Sequence, residues 1–148
     1  MSKIDSQTIL NLVKEALEAR KNAYAPYSHY YVGAALLVDN DKIYRGCNIE
    51  NSSYGASNCG ERTAIFKAVS EGIRKIKAIA ITGGKHETDN FSNDEMQFAY
   101  PCGICRQVMR EYCNPEDMTI IICKSEKEYK VHTLSELLPN SFGPDNLL

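Results

Sequence analysis

The succession of hydrophobic periodicities along the chain predicts an α/β fold, a three-layer α/β/α sandwich with a mixed five-stranded sheet. Two observations carry this. Five short runs of β-branched, aromatic and apolar residues have strand length, and the segments between them repeat their apolar residues at helical spacing. Their order is one helix, two strands, then strands alternating with helices, which calls for a mixed sheet covered on both faces. With 148 residues, 43% of them hydrophobic, the chain is expected to bury its own core as a single domain, 1–148, without disulfide staples.

Ser6 is placed to cap a first helix whose apolar positions Ile9, Leu10, Val13, Ala16 and Leu17 share one face, ending near Lys21 before Pro26. Tyr31 to Val38 and Lys42 to Asn48 read as strands of a hairpin, because Asp39-Asn40-Asp41 between them favours a tight turn. Glu61 to Glu71 follows as a second helix, with Ala64, Ile65, Ala68 and Val69 on one side and Gly72 positioned to end it. Lys77 to Thr82 suits a buried strand, and Gly103 to Tyr112 a third helix after Pro101. Met118 to Cys123 gives another buried strand and Glu128 to His132 a last one. Thr133 with Glu136 then forms a capping-box pattern for a short helix stopping before Pro139.

A net charge of −2, a pI near 5.9 and scattered Lys and Arg argue against nucleic acid as a partner. No apolar run is long enough to span a bilayer, and Met1 to Gln7 carries no apolar signal region, so a cytoplasmic protein is expected. Six cysteines in such a chain point to reduced thiols and metal rather than to a disulfide framework.

The chemistry concentrates in Cys59-Gly60-Glu61 and Pro101-Cys102-Gly103-Ile104-Cys105. Cys59, Cys102 and Cys105 supply three thiolates for one zinc ion, leaving a fourth position open for water, as catalytic zinc sites do. Cys59 opens one predicted helix and the cysteine pair another, so two helix N-termini with their free N–H groups would favour the thiolate forms. Glu61, two residues past a ligand, is suited to shuttle a proton rather than to coordinate. Arg62 and Arg106 each directly follow a motif residue and could offset the thiolate charge. A structural four-ligand site would have to draw on Cys47, Cys113, Cys123 or His86, and none has the paired spacing such sites show.

Several segments together resemble the small homotetrameric cytidine deaminases that use three cysteines. They are Tyr24-Ala25-Pro26-Tyr27-Ser28, Val32-Gly33-Ala34-Ala35-Leu36, Gly46-Cys47-Asn48-Ile49-Glu50-Asn51, Cys59-Gly60-Glu61-Arg62-Thr63-Ala64, Pro101-Cys102-Gly103-Ile104-Cys105-Arg106-Gln107 and Glu136-Leu137-Leu138-Pro139. The resemblance implies a cytidine-deaminase-like fold, one Zn2+ per subunit, and hydrolytic loss of the 4-amino group from cytidine and deoxycytidine, a step of pyrimidine salvage. It makes Cys59, Cys102 and Cys105 the zinc ligands, Glu61 the proton shuttle, and Asn48 and Glu50 the groups holding ribose. Asn48 and Glu50 are two apart at the end of a predicted strand and so share a face. Glu50 beside the sugar would repel a 5′-phosphate, favouring free nucleosides. Tyr30 stands where the family commonly has a Phe packed on the pyrimidine, and Tyr54 and Phe142 match aromatics that approach a neighbouring subunit's active site. A homotetramer with shared active sites is thereby implied.

The chain departs from the family at Gly60, where an Ala is usual, and at Ile104, where a small residue is usual. Gly60 lies in the substrate site, and Ile104 either narrows the base pocket or packs outward. The polar stretch Gly83 to Ala99 is longer than the usual connection and reads as a surface loop, or else as a lid or subunit-contact element near the pocket, since it leads into Pro101 and Cys102. Two other readings stand beside the leading one: a related deaminase acting on a nucleoside analogue such as an antibiotic nucleoside, and a non-catalytic structural zinc module. The module would keep its fold and zinc when Glu61 becomes Gln, with no activity to lose.

Overall fold

The protein is seen here in a computed structural model that describes residues 4–85 and 96–148. Helix α1 spans Ser6–Arg20, but its cap is Asp5, whose carboxylate accepts the Thr8 N–H at 2.8 Å; Ser6 is already helical. Strands β1 (Tyr31–Val38) and β2 (Ile43–Cys47) form the expected antiparallel hairpin, with Gly33 opposite Cys47. Asp41 turns it at φ 67°, a left-handed conformation Asp adopts more readily than most residues. Helix α2 (Gly60–Ser70) ends where Gly72 takes φ 99°.

Strand β3 (Ile76–Gly84) runs antiparallel to β1 and parallel to β5 (Thr119–Ser125), and β6 (Glu128–Thr133) returns antiparallel to β5. The sheet order is β2-β1-β3-β5-β6, mixed as expected. A short strand β4, Met96–Gln97, pairs with Gly83 and Gly84 at the end of β3. Both described ends of the stretch read as a surface loop are therefore strand, because β3 outruns its apolar core by two glycines whose backbone groups need a partner. The middle of that stretch, with His86, lies outside the described residues. Helix α3 (Gly103–Glu111) follows Pro101, and the four-residue α4 (Leu134–Leu137) starts at the Thr133–Glu136 capping box.

Strand alternation divides the core into two layers. Ala34, Leu36, Ile79, Ile81, Ile120 and Ile122 face α2, α3 and α4, whereas Ala35, Leu37, Ala78, Ala80, Ile121 and Cys123 face α1. Two glycines let helices rest directly on strands. A Cβ on Gly33 would lie 2.1 Å from the Ala16 carbonyl oxygen of α1, and one on Gly46 would lie 2.4 Å from the Gly60 oxygen and 2.5 Å from the Ala64 nitrogen of α2. The Gly46 contact presses the start of α2 onto the end of β2, bringing Cys59 to Glu61 beside Asn48.

Candidate active site

Cys59 is the N-cap residue of α2 and Cys102 that of α3, both with extended backbone and neither using its side chain as a cap. Their sulfurs are left free to meet across the gap between the helices, 3.9 Å apart. Cys105, one turn into α3, points back to the same spot, so the three sulfurs all lie within 4.8 Å of one another, and no disulfide joins them. A tetrahedral zinc with Zn–S bonds of about 2.3 Å would place its sulfurs roughly 3.8 Å apart. The donor set and its spacing fit that ion.

Glu61 projects from the first turn of α2 and is 5% exposed. Burial pushes its carboxyl above the usual range, with its own amide and the Cys105 thiol working in the opposite direction. Cys105 donates from Sγ to Oε2 of Glu61 at 3.3 Å, and Nη2 of Arg62 donates to Sγ of Cys59 at 3.3 Å. The Cys105 thiol, aided by the Arg62 guanidinium against a burial cost, holds Cys59 down at about 5, while Cys105 itself is pushed up. The cluster therefore already favours one thiolate beside Arg62. Nε of Arg62 is buried without a hydrogen-bond partner among the described residues.

Cys59, Cys102 and Glu61 line a cavity of about 350 Å³, with Cys105 buried behind them, and its walls also include Val32, Asn48, Glu50, Tyr54, Ser57, Asn58, Gly60 and Tyr100. Asn48 and Glu50 both line it, just beyond the end of β2. Asn48 already bridges to β1, accepting from the Val32 N–H at 2.8 Å and donating to the Tyr30 carbonyl at 2.7 Å, and keeps one donor and one acceptor position spare. Glu50 accepts the Tyr27 and Ser28 N–H groups, each at 3.0 Å, and the Ser28 hydroxyl. Burial opposes its charge, but these donors outweigh it and hold the carboxyl below the usual range. A second hollow of about 280 Å³ continues past Glu50 and Tyr54 to Tyr27 and Ser28.

The remaining predicted residues are placed unevenly. Tyr30 is half-buried over the end of β3, its hydroxyl 3.1 Å from Oε1 of Gln97, and a Cβ on Gly83 would meet its ring at 3.1 Å. Gly60 lines the cavity, and a Cβ there would lie 3.1 Å from a Val32 methyl. Tyr54 is 74% exposed and borders the cavity of its own chain, 5.7 Å from the Tyr27 ring. Phe142 is exposed beside α3, where its carbonyl accepts from Gln107, away from that cavity. Ile104 packs outward, 62% exposed.

Arg106 corrects the expectation that it offsets thiolate charge. Its Nε donates to the Pro101 carbonyl at 2.7 Å and its Nη1 to the Leu137 carbonyl, which α4 leaves without a helical partner. Unmet carbonyls draw the guanidinium to the joint between α3 and α4 instead of to sulfur. Of the other cysteines, Cys113 donates to the Met109 carbonyl and Cys123 to the Ile81 carbonyl, and burial pushes each thiol up to about 12. Both stay outside the cluster. Sequence reasoning missed Ser57, Asn58 and Tyr100, whose one signal was that each stands within two residues of a cysteine motif.

Comparisons with known proteins follow the same lines. Residues 6–122 match the family model described as the cytidine and deoxycytidylate deaminase zinc-binding region. A cytidine deaminase of Halalkalibacterium halodurans is 46% identical over 136 residues, covering 92% of this chain and 95% of the relative. A probable cytidine deaminase of Dictyostelium discoideum is 34% identical over 145 residues, covering 98% and 90%. Among solved structures, the cytidine deaminase from Burkholderia pseudomallei superposes with a TM-score of 0.76 at 40% identity, covering 89% of this chain and 97% of that one.

Proposed function

The chain belongs to the cytidine and deoxycytidylate deaminase family, and on that premise we propose how its own residues carry the chemistry. It is a zinc-dependent hydrolase: cytidine and water give uridine and ammonia, and deoxycytidine gives deoxyuridine in the same way. Cys59, Cys102 and Cys105 hold the ion, which when bound supplies a Lewis acid that lowers the pKa of a water from about 15.7 toward roughly 7.

Glu61 is the proton carrier. A buried carboxyl whose affinity for protons is raised takes one proton from the water that adds to C4 and gives it to the ring nitrogen, then takes the second from the added hydroxyl and gives it to the amine, which leaves as ammonia while the C4 carbonyl forms. Arg62, bonded to Cys59, stabilises thiolate charge. Asn48 offers its spare donor and acceptor to the sugar hydroxyls, and Glu50, oriented by Tyr27 and Ser28, accepts from them. Tyr30 backs the pyrimidine, and Gly60 leaves room beside it. The negative Glu50 disfavours a 5′-phosphate, so free nucleosides are the substrates.

We further propose a cytoplasmic homotetramer serving pyrimidine salvage, in which Tyr54 and Phe142 reach a neighbouring subunit's site. The high exposure of both rings supports this, and no described helix is long and apolar enough to cross a membrane.

The observation that carries the mechanism is the convergence of three sulfurs beside a buried Glu61, with Cys59, Cys102 and Glu61 lining a cavity of nucleoside size. Ultraviolet-monitored deamination of cytidine tests it, run on the parent and on Glu61→Gln with zinc content determined for both. The expected result is a loss of about 10²–10⁴-fold in kcat with zinc retained. An active Glu61→Gln enzyme would overturn the role of Glu61, and a zinc-loaded parent inert toward cytidine would overturn the substrate.

A further inference from the structure

Tyr100 shares the cavity wall with Cys59, Glu61 and Cys102, yet its hydroxyl points out of it toward β6. The phenol oxygen lies 3.0 Å from Nε2 of His132, and the two rings are 5.4 Å apart at an angle of 57°. Nδ1 of His132 lies 3.3 Å from Oε2 of Glu136. The other carboxylate oxygen of Glu136 is held by the Thr133 amide and hydroxyl in the capping box that starts α4.

An ionised carboxylate only accepts, so the proton joining Glu136 to His132 sits on Nδ1. In the neutral ring Nε2 is then an acceptor, and the Tyr100 hydroxyl donates to it. The tilt of the Tyr100 ring is thereby fixed from a helix cap that contributes no side chain to the cavity. The pyrimidine carbon that reacts must approach the cysteine cluster. Its amine, and the ring carbon next to it, then lie at the end of the cavity where Tyr100 stands two residues before Cys102.

We propose that Tyr100, locked by His132, is a specificity-determining wall that limits substituents on the 4-amino nitrogen and on C5 of the pyrimidine. His132 touches no substrate and is a positioning residue, itself oriented by Glu136. The inference rests on the deaminase reading above.

The test compares kcat/KM for cytidine, N4-methylcytidine and 5-methylcytidine in the zinc-loaded parent, Tyr100→Ala, Tyr100→Phe and His132→Ala. Since one methyl group is worth about 10-fold or more in a close-fitting pocket, Tyr100→Ala should raise the methylated-to-cytidine ratio about 10-fold for at least one analogue. His132→Ala should raise it about 2- to 5-fold, and Tyr100→Phe, which keeps the ring and loses the bond, should follow His132→Ala. A merely structural role would lower all three substrates together and leave the ratios flat. Flat ratios in variants that still turn over cytidine overturn this inference alone. Should Tyr100→Ala fail to fold, flat ratios in the other two variants do the same. A zinc-loaded parent with no cytidine turnover overturns the deaminase reading and this inference with it.

Discussion

The starts of α2 and α3 use one arrangement, a cysteine N-cap whose sulfur leaves the helix to meet its counterpart, yet their surroundings differ. At α2 the backbone is pressed onto Gly46, and Arg62 reaches back over the first turn to Cys59. At α3 Cys102 is exposed, and Arg106 turns away to the carbonyls of Pro101 and Leu137. Two arginines next to equivalent motifs thus do different work. A guanidinium goes to the acceptor that lacks a partner, and only at α2 is that acceptor a sulfur.

Removing a ligand from either start should have the largest effect. Cys105→Ser, or chelation of the metal, is expected to reduce zinc content from about one per chain to near zero and abolish deamination, measured by metal analysis beside the activity assay. An active, zinc-free Cys105→Ser enzyme would remove the metal from the mechanism altogether. Next comes the contact that seats α2. Gly46→Ala places a methyl against backbone that cannot yield without moving the helix, and should cost about 1–3 kcal/mol in denaturant unfolding. The absence of any change in the unfolding midpoint would mean that α2 floats on β2 more loosely than its backbone contacts imply.

The two arginines then separate the helix starts. Arg62→Gln is expected to weaken zinc binding about 10- to 100-fold in competition with a chromophoric chelator. Arg106→Gln should leave that affinity intact and lower stability by about 1 kcal/mol through lost hydrogen bonds. Equal effects on zinc would collapse the distinction. The smallest effect concerns accessibility. In metal-stripped protein, the half-buried Cys59 thiolate and the exposed Cys102 should be alkylated by iodoacetamide before the buried thiols, and zinc should suppress the reaction of both. Cys113 and Cys123, pushed to about 12 by burial, remain largely protonated below pH 9 and lose that protection only as pH rises toward 12. Peptide mass mapping would reveal early labelling of either buried thiol.

Much of this was legible in the chain. The helical spacing of Leu12-flanking residues such as Ile9 and Val13, the Asp39-Asn40-Asp41 turn and the Thr133–Glu136 box each act within a few residues, and each appears where expected. The three cysteines also meet as a cluster, since helix N-termini can be located from local pattern and Cys59 and Cys102 stand at two of them. The errors have an equally physical origin. Asp5 displaced Ser6 as cap because both can accept the same N–H groups and only the path of the chain chooses between them. β4 escaped notice because two residues carry no periodicity, and its pairing is dictated by the unmet edge of β3.

Composition and local spacing, by themselves, determined the sheet-and-helix order, the two cysteine motifs and the carboxylate beside them, because these depend on interactions within a turn or two of chain. Only the tertiary structure decided that Arg62 and not Arg106 meets sulfur, that Ile104 packs outward, and that Tyr100 enters the cavity tied to His132. The pull of the Leu137 carbonyl on Arg106 and the tie of Tyr100 to His132 depend on what a distant segment brings within a few ångströms, and residues 31 and 32 apart along the chain carry no local sign of that meeting.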